Sequence, residues 1–72
     1  MRNEYRAFLE DRIAFLEKMI EIDKATLKTL DELLQMEPTE DIIEQRKTVV
    51  SLIKRQEKSI EKAKGALSAW QT

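Results

Sequence analysis

The apolar positions in the first half of the chain recur at alternating intervals of four and three residues. They form one series, made of Leu9, Ile13, Leu16, Ile20, Asp23, Leu27, Leu30 and Leu34. This spacing is typical of a coiled-coil seam, in which one stripe of an α-helix packs against a partner helix. The pattern therefore predicts a helix over about residues 3–36, with Asp23 as the polar exception in its seam.

The second half of the chain repeats the pattern and is predicted to fold back on the first half. Its seam positions are Ile42, Arg46, Val49, Ile53, Gln56, Ile60, Ala63, Leu67 and Trp70. Pro38 disfavours helical geometry at the preceding residue, and Thr39 is a good N-cap that two acids follow. We therefore predict a turn at about 37–39, a second helix over about 40–70, and a single helical-hairpin domain over residues 1–72.

Three polar residues occupy positions in these seams. A hairpin that turns at Pro38 places Asp23 opposite Ile53 and one layer from Gln56, close enough for a hydrogen bond between the two polar side chains. Arg46 is the third polar seam residue. Because single polar residues in a seam fix register and oligomeric state at some cost in stability, we interpret Asp23, Arg46 and Gln56 as register positions rather than as a catalytic constellation.

A second apolar row lies beside the seam of the first helix. It consists of Tyr5, Phe8, Phe15, Met19, Ile22, Leu33 and Met36, and it is interrupted by Arg12, Thr26 and Thr29. A hairpin has no third element to cover this row, so we expect it to form the oligomer or partner interface. The predicted fold class is all-α: an antiparallel, coiled-coil-like two-helix hairpin that self-associates as a dimeric four-helix bundle.

The composition removes several classes of function. The chain of 72 residues has no cysteine and no histidine, so it lacks a disulfide framework, a thiolate zinc site and the usual proton shuttle. No hydroxyl has a histidine base, and no glycine-rich loop could hold phosphate. We expect no enzyme, no cofactor and no metal site. Charges are scattered through the first residues and no long apolar run exists, so we predict a cytoplasmic protein without a membrane partner.

The charge is divided unevenly between the two halves. Residues 1–41 carry six basic and eleven acidic side chains, whereas residues 42–72 carry seven and three. The basic residues of the second helix include a ridge made of Lys47, Lys54, Arg55, Lys58 and Lys62. Like charges at such spacing repel one another, and nucleic-acid phosphate would compensate them. A solvated helix face explains the ridge more simply.

The expected architecture resembles that of small helical-hairpin dimers such as the Rop-like RNA-binding bundles, although no motif of a family is matched. This resemblance is one of architecture, which does not by itself give a function, and the alternative function of nucleic-acid binding rests on the basic ridge. The preferred interpretation is a non-enzymatic protein for protein–protein interaction, a small regulatory or adaptor protein that acts as a homo-oligomeric helical bundle. Its expected partners are a second copy of itself and a further protein.

Overall fold

The protein is a hairpin of two α-helices. The computed structural model describes the backbone of residues 2–71 and the side chains of residues 4–69. Helix α1 spans Arg2–Met36, helix α2 spans Glu40–Gln71, and the two helices pack against each other. The sequence placed these helices at about 3–36 and 40–70. The side chain of Trp70, the last seam position, lies outside the described residues.

The turn between the helices is closed by hydrogen bonds of the backbone and of one capping hydroxyl. The amide of Glu37 donates to the carbonyl oxygen of Leu33 at 2.7 Å, which ends α1. The hydroxyl oxygen of Thr39 accepts from the amide of Ile42 at 3.3 Å, so Thr39 is the N-cap of α2. Capping satisfies an amide that has no partner inside the helix, and the two acids that follow complement the helix dipole.

The core of the hairpin is the contact between the two seams. Every described seam position is buried or half-buried, which confirms the predicted pairing of the two stripes. The buried apolar side chains are Leu9, Ile13, Leu16, Ile20, Leu30, Ile53 and Ala63. No large side chain among the described residues is enclosed completely. Two helices alone therefore form a thin core with solvent on both sides.

The hairpin is a rod. Its principal extents are 52 × 14 × 14 Å and its radius of gyration is 16.3 Å. A globular domain of this length would have a radius of gyration of about 11 Å. Neither helix, within the described residues, has the run of apolar residues that a membrane crossing needs.

Candidate interaction surface

The second apolar row of α1 remains largely uncovered in the hairpin. We call it the apolar face, and it comprises Tyr5, Phe8, Phe15, Met19, Ile22, Leu33 and Met36. Phe8, Phe15 and Met36 have exposed fractions of 58%, 63% and 77%. Only Met19 among these residues is half-buried. Large side chains exposed in a row along one helix are typical of a surface that another chain covers.

Two of the three polar interruptions of the apolar face are internally satisfied. The hydroxyl of Thr26 donates to the carbonyl oxygen of Ile22 at 3.1 Å, and the hydroxyl of Thr29 donates to that of Ala25 at 3.2 Å. Both hydroxyls therefore need no donor or acceptor from outside, and covering them leaves no donor without a partner. The sequence pattern counts both threonines as polar interruptions of the apolar row. In the structure their hydroxyls are bonded within α1, so the charged Arg12 is the main interruption.

The total surface of the hairpin exceeds that of a compact monomer. The accessible surface is 5919 Å². The scaling between surface and mass gives about 4,700 Å² for a compact monomer of 8.5 kDa. The excess of about 1,200 Å² per chain is larger than the roughly 800 Å² that each partner contributes to a standard protein interface. The hairpin thus carries enough uncovered surface for a stable protein contact.

The two grooves along the hairpin differ in their chemistry. One groove is lined by Glu17, Ile20, Glu21, Lys24, Glu57, Ile60 and Lys64, so charged side chains flank its two isoleucines. The other is lined by Phe8, Leu9, Arg12, Ser59, Lys62, Ala63 and Ala66. This second groove adjoins the apolar face, and α2 contributes mainly small residues to it. A partner of the apolar face can therefore approach both helices.

Arg46 forms an ion pair across the hairpin. Its Nε donates to Oδ1 of Asp31 at 2.6 Å, and both side chains are a little under half exposed. Because Asp31 lies beside the seam of α1, this contact fixes the axial position of one helix relative to the other near the turn. The periodicity identified Arg46 as an exception but did not identify its partner. Ion pairs this exposed contribute at most about 1 kcal/mol.

Asp23 and Gln56 leave polar atoms without partners in the middle of the hairpin. Oδ2 of Asp23 and Oε1 of Gln56 are buried, and neither accepts a hydrogen bond from the described residues. Gln56 is only 9% exposed. The hydrogen bond predicted between these two side chains does not form in the hairpin. A buried acceptor without a partner costs about 1–3 kcal/mol, so a donor from outside the hairpin would stabilise this layer.

The basic ridge of α2 is fully displayed on the surface. All five of its residues, Lys47, Lys54, Arg55, Lys58 and Lys62, are exposed. Lys47 lies 3.6 Å from a carboxylate oxygen of Glu44. The other four form no ion pair with the side chains that the structure describes. Lys62 also lines the groove beside Phe8, so the ridge borders the apolar side of the hairpin.

Neither a cluster of metal ligands among the described residues nor a similar protein assigns a chemical role to these surfaces. Among the described residues, no group of three or more potential metal ligands converges on one point. Comparisons with models of protein families, with curated proteins and with solved structures gave no match for this chain. The apolar face and the basic ridge are the two candidate interaction surfaces of the hairpin.

Proposed function

We propose that this chain is a non-enzymatic interaction protein that works as a homo-oligomeric helical bundle, in the manner of a small regulatory or adaptor protein. The observation that carries the proposal is the apolar face, which runs along most of α1 and is exposed in the hairpin. The face includes Phe8, Phe15 and Met36, and aromatic residues and methionine are enriched at protein interfaces.

The energetics of a small hairpin also favour self-association. A domain of this size gains little net stability from its own core, and this chain has no cysteine with which to form a disulfide. Two hairpins that place their apolar faces together would form a four-helix bundle with a closed core. The bundle would then present rigid outer helix faces to a further protein, and it would act by occupying that protein's surface.

The experiment that tests this proposal is the absolute mass in solution, measured by light scattering after size exclusion at low and high salt. We expect a dimer at both salt concentrations, because burial of apolar surface is insensitive to the screening of charges. The variant Phe15→Asp should lower the mass to that of a monomer, because it puts a charge without a partner into the interface.

The matched control is Ala14→Asp. Ala14 is exposed and adjacent to Phe15 in the sequence, but it lies about 100° away around the helix, off the apolar face. The Ala14→Asp variant introduces the same charge. It lowers the helix propensity more than the change at Phe15 does, since alanine is the best helix former. Dimers with Ala14→Asp and monomers with Phe15→Asp would support the proposal. A monomeric unmodified chain, or dimers with both variants, would refute self-association through this face.

The exposed basic ridge favours a second candidate function, which is binding of nucleic acid. Four of its five cations have no ion pair within the described part of the hairpin, so they are available to phosphate. Binding of a labelled RNA duplex should then weaken steeply as salt rises, and Lys58→Glu should reduce it while leaving the oligomeric mass unchanged. Binding that is absent at low salt would reject this candidate.

A cytoplasmic location stays a prediction.

A further inference from the structure

We propose that the occupant of the apolar face is a second copy of this chain in one defined arrangement. Helix α1 of one copy lies antiparallel to α1 of the other, and a two-fold axis passes between residues 20 and 21. The turns of the two hairpins then lie at opposite ends of the bundle. This inference rests on the proposed self-association and adds its geometry.

The apolar face of α1 is complementary to itself when the helix is reversed about this point. The reversal exchanges Tyr5 with Met36, Phe8 with Leu33, and Met19 with Ile22. Phe15 is exchanged with Thr26, so a large ring meets a small side chain whose hydroxyl is already bonded to its own helix. Arg12 is exchanged with Thr29, one turn from the acidic Glu32. Each copy thus offers the other the same surface, as a two-fold interface requires.

The distribution of side chains favours contact of α1 with α1 over contact of α1 with α2. At the corresponding outer positions of α2, Arg55 and Lys62 are charged and exposed. A bundle that alternates the helices of the two copies would bury the rings of Phe8 and Phe15 beside these cations. Pairing α1 with α1 buries the aromatic side chains of the two copies against each other. Lys62 lines the groove beside Phe8 of its own chain in either bundle, and its long side chain can keep the charged end in water.

The buried acceptors in the middle of the hairpin lie at the level of the proposed axis. Asp31 pairs with Arg46 across the hairpin, and each step forward along α1 is a step back along α2, so residues 20–21 of α1 are about level with residues 56–57 of α2. Gln56 is therefore within about one residue of the axis. A second copy, reversed about this axis, brings its own Gln56 to the same level. Oε1 of each Gln56, which has no partner in the hairpin, could then accept from Nε2 of the other.

Asp23 completes this polar layer. It lies about 4 Å along α1 from the axis, since each helical residue advances about 1.5 Å. The Nε2 group of glutamine carries two hydrogens. Each Gln56 can therefore donate one hydrogen to Oε1 of the other Gln56 and one to Oδ2 of an Asp23. The two acceptors that the hairpin leaves without partners would thus both be satisfied when the copies are in this register.

A distance between spin labels tests the arrangement without disturbing the interface. Gln35 is exposed near the end of α1 and lies off the apolar face. The chain has no cysteine, so Gln35→Cys gives one labelled site per copy. The proposed axis places the two labels about 45 Å apart, from about 1.5 Å per helical residue. A dimer with both turns at the same end would place them within about 25 Å, because neighbouring helix axes are about 8–10 Å apart.

The outcomes separate this inference from the proposed function. A main distance between the labels within about 5 Å of the expected value supports the arrangement. Any other main distance in a protein of dimeric mass overturns the arrangement and leaves self-association intact. A monomeric mass of the labelled chain and of the unmodified chain overturns both. Labelled Gln35→Cys in the Phe15→Asp background provides the control, because a monomer gives no distance between copies.

Disulfide trapping supplies a second measurement of the register. Chains with Met19→Cys mixed with chains with Ile22→Cys should cross-link on mild oxidation, because the axis places these positions directly opposite. Chains with Phe15→Cys alone should not cross-link, because their sulfur-bearing residues would be about 16 Å apart along the axis. A disulfide needs Cα atoms within about 7 Å. In a protein of dimeric mass, cross-linking of Phe15→Cys alone without cross-linking of Met19→Cys to Ile22→Cys would overturn the antiparallel arrangement.

Discussion

Replacing Asp23 by leucine should stabilise the protein and make its assembly less specific. Asp23 occupies a seam position of α1, is half-buried, and has one carboxylate oxygen that is buried without a hydrogen-bond partner in the hairpin. Its layer contains Ile53, which is 7% exposed. Leucine would extend the apolar seam through this layer. It would also remove the polar group that distinguishes this layer from its neighbours.

The magnitude follows from the burial of this position. Burying a leucine fully contributes about 1.5–3 kcal/mol, so a half-buried leucine contributes about 1 kcal/mol. Removing a buried acceptor that lacks a partner contributes about 1 kcal/mol more. Even where a second copy supplies a donor, a well-packed apolar residue is often as stable as the polar one or more stable. We expect a gain of about 1–2 kcal/mol per chain, with the lower value where Gln56 already donates to Asp23 in the dimer, which raises the melting temperature by about 4–16 °C for a domain of this size.

The assay is thermal unfolding followed by the helical circular dichroism signal, at equal chain concentrations because oligomer stability depends on concentration. Light scattering on the same samples gives the oligomeric mass. Asp23→Asn provides the matched control, since it preserves the shape and the polarity of the side chain. We expect Asp23→Asn to keep a single oligomeric species, and Asp23→Leu to show more than one. An unchanged or lower melting temperature with a single species for Asp23→Leu would refute the reasoning.

Three further substitutions test the hairpin itself, each by the midpoint of urea unfolding. Gly65→Ala should stabilise the protein by about 0.5–1 kcal/mol, because a Cβ atom at this position within α2 meets nothing within 4 Å and alanine restricts the unfolded chain. Thr39→Ala should destabilise it by about 1 kcal/mol, because the amide of Ile42 loses its capping hydroxyl. Asp31→Asn should cost at most about 1 kcal/mol at low salt and less at high salt, because its ion pair with Arg46 is nearly half exposed.

Each of these three has a control or a contradicting result. Thr39→Ser keeps a capping hydroxyl and should leave the midpoint nearly unchanged, whereas equal losses for Ser and Ala would mean that capping does not explain the effect. A lower midpoint for Gly65→Ala would show that the space beside Gly65 is filled in solution. A cost of Asp31→Asn that does not change with salt would contradict an electrostatic origin.

The pattern of residues along the chain is sufficient to predict the helices, the seam and the turn. Alternating intervals of four and three residues identify one stripe of each helix, and every described position in the two stripes is buried or half-buried. Pro38 and Thr39 locate the turn because a proline constrains the residue before it and a threonine caps the helix after it. These features depend on local geometry and on periodicity, both of which a linear pattern contains.

Which polar seam groups find partners depends on how the two helices pack in three dimensions. The pairing of Arg46 with Asp31 depends on the axial offset and the rotation of two helices. The seam residues Asp23 and Gln56, which the periodicity places one layer apart, bury oxygens that have no partner in the hairpin. A pattern of polar and apolar letters records the side of a helix on which a residue lies. It does not record the side-chain directions and distances on which each hydrogen bond depends.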